Sequence, residues 1–495
     1  MNNNSWFKKE MPLQTVIGFG GGATGFGAYS SSAKPKYVDE VFKSGLWIGN
    51  ETARTIETGI DNTKGALAWV KARNDSTDYF LVDTERGANK FIKSNANDVE
   101  YNVGNRITGF ESNGFNVGTS GLVNGTSAYN YVGWNLRERE NFFDIVTYTG
   151  TGSSVLTLSH SLGSIPGMIL IKRLDGANSD WIVYHRSTGI TKYLKLNSSA
   201  AVADDTGDYI WNDTAPTATH FTIGAGHDSV NANTNNYVAY LFAHHDGDGD
   251  FGESGDKDII KCGSYASNSG GALEVNLGFE PQFLILKNTA RNANWAQLDM
   301  MRTMDVGAPQ NHLVLSVNES YAEQDVDEDC SPVPTPRGFK MAARSGGYAE
   351  YNFGSDEIVY LAIRFPDGSV GKPPEAGTDA FNVVYGNSSS TIPNFTSNFR
   401  VDMGIYKQPL TSYSWYLHTR MLGKYNLRTD STAAQAPSGN GDADATFDAD
   451  TGWGKFGYNT DKASWMWKRH AGFDVVAMDV TTEGGYPNLP HPVSA

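Results

Sequence analysis

The sequence predicts an all-β protein built of tandem antiparallel β-sandwich domains of jelly-roll type, in four divergent repeats. Three observations predict it. Short runs of β-branched and aromatic residues alternate along the chain with clusters of glycine, asparagine and aspartate, the pattern of strands separated by turns. No long stretch keeps the period of a helix facing a core. Landmarks also return four times in one order: an aromatic, a strand ending in lysine, a second aromatic, an arginine and a closing apolar strand. From Trp47, Tyr148, Tyr265 and Tyr385 to Lys71, Lys172, Lys287 and Lys407 the separations are 24, 24, 22 and 22 residues. From each lysine to Tyr79, Trp181, Trp295 and Trp415 they are 8, 9, 8 and 8.

Taken in order, residues 1–37 read as an N-terminal attachment arm, since glycine, serine and alanine dominate it and large apolar residues are too few for a core. The arm contains Gly20-Gly21-Gly22-Ala23-Thr24-Gly25, a literal dinucleotide fingerprint, but the residues after it are poor helix formers. A pyrophosphate would find no helix N-terminus there. The first repeat spans 38–140, the second 141–258 and the third 259–370, with a Pro/Gly-rich linker over 371–377, a fourth repeat over 378–485 and a C-terminal tail over 486–495. Repeats that start 101, 117 and 120 residues apart are too long for solenoid units of about 20–50 residues. They fit complete small domains. Pro166 and Pro281 each stand six residues before a lysine, as first residues of strands.

The recurring lysines, and the arginines Arg86, Arg186, Arg302 and Arg420 that follow the second aromatics, read as structural: the lysine stem packs over an aromatic and the arginine bridges strands. A ligand site repeated four times is the competing reading. With 39 basic against 55 acidic residues the net charge is −16, and no basic run stands out, so nucleic acid and anionic membrane surfaces are not expected partners. No apolar run approaches the length of a membrane-spanning helix, and the N-terminus lacks a signal-peptide pattern. Two cysteines, Cys262 and Cys330, read as small buried residues rather than a disulfide framework.

Candidate chemistry is sparse. Asp246, Asp248 and Asp250 alternate in a glycine-rich loop running to Asp258, as in calcium loops, yet the sixth position is Phe251 and the twelfth is Lys257, where an EF-hand has glycine and glutamate. The loop reads as a metal-free connector. Asp442, Asp444, Asp448 and Asp450 repeat the theme more weakly. His244 and His245 adjoin the loop, but neighbours on a strand point to opposite faces. No catalytic motif and no cofactor site is evident, so a non-enzyme is expected. Trp134, Trp211 and Trp453 fall outside the landmarks and are candidates for stacking on sugars, with core burial as the alternative.

The phrases Tyr79-Phe80-Leu81-Val82-Asp83-Thr84-Glu85-Arg86, Phe143-Asp144-Ile145-Val146-Thr147-Tyr148, Ser161-Leu162-Gly163-Ser164-Ile165-Pro166-Gly167 and Tyr237-Val238-Ala239-Tyr240-Leu241-Phe242 resemble a repeated domain of marine bacteriophage virion proteins, of the tail-fibre and tail-structural kind. The resemblance is close over 38–258, recognisable in the third repeat and loose in the fourth, which lacks the Leu-Gly-x-x-Pro lead-in. It implies a virion structural protein, a tail fibre or tail appendage serving host attachment and assembled in the host cytoplasm. Other tail proteins, further copies of the chain with a trimer favoured, and a host surface glycan or receptor are the partners it implies. The alternatives are a capsid-surface or head-fibre protein, a glycan-binding module, or a tail depolymerase.

Overall fold

The computed structural model describes residues 34–268, 272–302, 312–326, 332–341, 351, 354–389, 392–423, 425–437, 447–454 and 460–476. The attachment arm up to residue 33, Cys330, Asp442, Asp444 and the C-terminal tail lie outside the described residues. The chain divides into Met1–Lys34 and a unit running from Pro35 onward, and every described strand belongs to the second unit.

The chain is all-β with antiparallel sheets, as predicted. One strand order recurs in it four times. The opening strands are Phe42–Ile48, Phe143–Thr149, Ile260–Ala266 and Phe381–Tyr385. Each pairs with a closing strand: Asn130–Arg137, Asn236–Phe242, Glu357–Arg364 and Ala463–Trp467. The closing strand then pairs with the lysine strand, which is Ala66–Ala72, Met168–Arg173, Pro281–Asn288 or Met403–Lys407. Beyond it lies a short strand (Phe80–Asp83, Ile182–His185, Ala296–Asp299, Tyr416–Thr419) and, in repeats two to four, an outer one (Lys192–Lys195, His312–Ser316, Tyr425–Arg428), whose place in the first repeat is taken by the segment at Lys90–Phe91, joined through a single bridge between Leu81 and Ile92. The lysines sit in one register: Lys71 opposite Val132, Lys172 opposite Val238, Lys287 opposite Val359 and Lys407 opposite Ala463. A smaller sheet covers one face of each, such as Arg54–Glu57, Gly114–Val117 and Ile107–Glu111 in the first repeat.

The register corrects two landmarks. Tyr385 lies opposite Ala463 where Leu46 lies opposite Val132, whereas Trp47 faces Tyr131 one step away, so Tyr385 is not the counterpart of Trp47 and its side chain belongs to the other face of the sheet. The 22-residue spacing in the fourth repeat is therefore a coincidence of two different tyrosine positions. The arginines also split into two classes. Arg86 and Arg302 stand three residues after the strand-ending Asp83 and Asp299 and bond them at 2.6 and 2.7 Å. Arg186 and Arg420 directly follow strands that end in His185 and Thr419 instead. Without the aspartate there is no corner for them to close, and they are turned elsewhere.

In the first three repeats the large sheet is buried on both faces, which is why Ala66–Ala72 reads as unbroken burial rather than alternation. Ala68, Val70, Phe80 and Val82 pack with Phe115 and Val117 inside the first sandwich. The opposite face, with Leu67, Trp69, Tyr79 and Trp134, joins Leu170, Trp181 and Tyr240 of the second repeat and Phe283, Trp295 and Leu361 of the third in one shared core. The three repeats close a ring. The Glu100 amide donates to the Leu174 carbonyl (2.8 Å), Val202 to Thr289 (2.9 Å) and Glu323 to Arg73 (2.7 Å), and each acceptor stands two residues after its repeat's lysine. Ser94 and Val317, which hold matching places in repeats one and three, meet through a 2.9 Å hydrogen bond.

The fourth repeat packs against repeats one and three through polar contacts and through Met421, which is buried in the core of the third repeat. Arg469 donates to both Glu280 oxygens at 2.8 Å. Asp448 accepts from Arg73 (3.1 Å) and Asp450 from the Leu46 amide (3.0 Å). The linker lies along the start of the first repeat, with the Lys372 amide 2.8 Å from Asp39 and the Val38 amide 3.0 Å from the Val370 carbonyl.

Candidate interaction face

The inward side of each large sheet carries the landmark lysine and the aromatic that follows it. In the ring these groups join one repeat to the next. Lys172 donates to Ser179 in its own repeat and, at 3.0 Å, to the Asn97 carbonyl of the first. Lys287 does the same with Ala293 (2.8 Å) and, in the second repeat, Ser199 (3.0 Å). Lys71 bonds the Ala72 and Asp75 carbonyls, with its ammonium over the Tyr79 ring. Burial pulls Lys71 and Lys172 down to about 8, because carbonyl partners replace water only in part. The Trp181 indole donates to Lys93 (2.8 Å) and the Trp295 indole to Lys195 (2.9 Å), again one repeat back.

The two aspartate–arginine corners complete the pattern. Arg86 bonds Asp83, Glu100 (3.0 Å) and the Leu81 carbonyl (3.0 Å), while Asp83 also accepts from Tyr240 of the second repeat at 2.7 Å. Arg302 bonds Asp299, Glu323 (2.9 Å) and the Gln297 carbonyl (3.1 Å), while Asp299 accepts from the Trp134 indole of the first repeat at 3.0 Å. Burial opposes the charge on Arg86, but Asp83, Tyr240 and Glu100 outweigh it and the guanidinium pKa goes up. The second repeat has His185 in the aspartate's place. Its Nδ1 accepts from the Ser187 amide (3.2 Å), leaving the ring proton on Nε2, 3.1 Å from the Tyr360 carbonyl of the third repeat. Burial holds this imidazole neutral, down to about 4.

The span that forms this ring is also the span that a family model recognises: a domain of unknown function, DUF7483, matches residues 38–364. The chain belongs to the DUF7483 family. The matched residues run from the start of the first repeat to the last strand of the third, so the DUF7483 domain in this chain is the three-repeat ring, and the fourth repeat lies beyond it. No curated protein matches the chain.

The fourth repeat has the same inward side without the cover. Phe381, Val383 and Tyr385 of its opening strand, Trp415 beside its short strand and Leu427 on its outer strand are all exposed, Tyr385 by 61% and Trp415 by 38%. Their counterparts Tyr79 and Ile92 in the ring are 0% exposed. Ile405, Trp465 and Trp467 on the same side are half-buried, with Trp465 tilted against Trp415 and Lys407 above the Trp415 ring. Leu410, at the turn after the lysine strand, is 95% exposed. The repeat's other face is a closed sandwich core around Phe395, Tyr406, Trp453 and Met466.

The remaining candidates have structural partners. Asp246 faces Lys261, Asp248 accepts from the Asp246 amide and Asp250 contacts Lys36, so the three carboxylates diverge. Phe251 is buried against Phe142 and His245, and Asp258 caps the Gly247 and Gly249 amides. Among the described residues no group of three or more histidine, cysteine or acidic side chains is placed to hold a metal ion. His244 meets Arg186 and the Cys262 amide while His245 meets Asn141 and Ile259. Arg420 bonds the Phe447 and Val401 carbonyls. Trp134, Trp211 and Trp453 are all buried, which removes them as sugar platforms. Cys262 is buried with a free thiol that burial pushes up. No helix among the described residues is long and apolar enough to cross a membrane.

Proposed function

We propose that the chain is a non-enzymatic structural protein of an assembled particle, a bacteriophage tail fibre or tail appendage that takes part in host attachment. The observation that carries this reading is the contrast between three inward sheet faces sealed against each other and a fourth left open. Apolar surface of that kind marks a contact surface. The resemblance to marine phage virion proteins supplies the kind of particle. Lys172, Lys287 and His185 are engaged by carbonyls of neighbouring repeats and Arg302 by the carboxylate of Asp299 in its own, which fits a scaffold. The partners are then other tail proteins and further copies of the chain, within the virion.

Peptide mass spectrometry and cryo-electron microscopy of purified particles test the reading. Copies of the chain in density on the tail are the expected result. Particles that lack the chain, from lysates that contain it, would refute a virion role.

The exposed aromatics Tyr385, Tyr413 and Trp415 favour one second reading, a glycan-binding module, since such rings stack on sugars. Binding on a glycan array that Trp415→Ala abolishes would support it.

A further inference from the structure

We propose that the fourth repeat is a clasp on the ring: it holds shut the seam between repeats three and one, and that seam parts when the clasp is released. The three seams are not alike. At the first two, the landmark lysine and the aromatic after it both reach back one repeat, Lys172 to Asn97 (3.0 Å) and Trp181 to Lys93 (2.8 Å), then Lys287 to Ser199 (3.0 Å) and Trp295 to Lys195 (2.9 Å). At the third seam neither does. Lys71 bonds Ala72 and Asp75 of its own repeat, and Tyr79, standing where the other repeats have tryptophan, has a buried hydroxyl without a hydrogen-bond partner among the described residues. The Trp69 indole beside Tyr79 is unpartnered too, as are both polar atoms of Gln297, which holds the inward place of Leu81 and Val183 in the other repeats. Buried polar groups without partners favour an opening that admits water.

Ser94 and Trp134 each cross the third seam by one bond, and an ion pair stands in for the missing lysine and indole contacts. Arg73 donates to Glu323 at 2.8 Å, next to the 2.7 Å bond from the Glu323 amide to the Arg73 carbonyl. The guanidinium is completed from outside the ring, by Asp448 of the fourth repeat at 3.1 Å. That repeat grips both sides of the seam. On repeat one, Asp450 accepts from the Leu46 amide at 3.0 Å. On repeat three, Arg469 bonds Glu280 and lies 4.2 Å from the centre of the Phe365 ring, and Met421 is buried in the core. A body anchored on both sides of one seam resists their separation, so seating the fourth repeat and closing the seam favour each other. The clasp goes beyond the virion reading and is independent of it.

Amide hydrogen exchange on the full chain, read by mass spectrometry at single-residue resolution, tests it. Each seam has a reporter amide, Glu100 bonded across to Leu174, Val202 to Thr289 and Glu323 to Arg73. Glu323 is expected to be protected at least about tenfold less than Glu100 and Val202. Arg469→Met with Asp450→Asn removes an anchor on each side of the seam, and neither residue bonds Arg73 or Glu323. This variant is expected to lower protection at Glu323 by about a further tenfold, with Glu100 and Val202 staying within about twofold of the wild type. If the double variant does not fold, Asp450→Asn alone is measured, with the same direction of change expected. Equal protection of the three amides in the wild type, an unchanged Glu323 in the variant, or a loss shared by all three would each overturn the proposal.

Discussion

Lysine ammonium groups bonded to carbonyls are costly to bury, and the ring places three of them at matching points, Lys71, Lys172 and Lys287. The cost has a pH signature. The folded-state values of Lys71 and Lys172 are about 8, below the free-lysine value, so between the two the unfolded chain binds more protons than the folded one. Stability must then rise with pH across that window. From pH 8 to pH 10 the gain from each lysine is on the order of 1–3 kcal/mol. Denaturant unfolding at both pH values measures it, and Lys172→Met is expected to flatten the rise. His185 works at the other end. Its folded value of about 4 lies below that of free histidine, so the unfolded chain takes the proton first and stability falls as pH drops from about 6.5 toward 4. His185→Gln is expected to lessen that loss in the same unfolding experiment.

Strand-end corners are the next level, and the sequence shows only part of them. Asp299→Ala would leave the buried Arg302 with Glu323 as its one carboxylate partner and is expected to cost about 3–5 kcal/mol. Removing Glu375 from its exposed pair with Lys372 should cost under about 1 kcal/mol. Thermal unfolding of the two variants gives the comparison. The lysine strands were legible because a strand that stops at a lysine is a local pattern, and their register follows the spacing. Arg186 and Arg420 were misleading because an arginine after a strand looks the same whether or not the strand ends in aspartate. Tyr385 misled for a similar reason: one residue of offset turns a side chain to the opposite face, and spacing counted between tyrosines does not register it. The open face of the fourth repeat was hidden altogether. Its strands are as apolar as those of the ring, and only the tertiary contacts tell which apolar face has a partner.

At the scale of the molecule, the ring behaves as one core with three contributors. A fragment of residues 35–371 is therefore expected to unfold cooperatively, whereas residues 38–258, lacking the third sheet, should expose the inward faces of two repeats and bind a hydrophobic dye. Fluorescence with that dye separates the cases. The fourth repeat is attached differently. Two 2.8 Å bonds from Arg469 to Glu280 need an ionised carboxylate, although burial pushes that carboxyl up, and Glu280→Ala is expected to cost about 3–5 kcal/mol by leaving the buried guanidinium with Asp474 as its remaining carboxylate. Limited proteolysis should then cut the linker 371–377 in the variant before the wild type. The hydrogen bond between Arg73 and Glu323 joins residues 250 positions apart. A ribosome adding about 5–20 residues per second needs tens of seconds to make that intervening length. Throughout that interval the first repeat has emerged with its inward sheet bare, and neighbouring chains on the same messenger carry identical bare sheets. Synthesis speed, and whatever shields nascent chains, thus decides whether the hoop closes on itself or on a stranger.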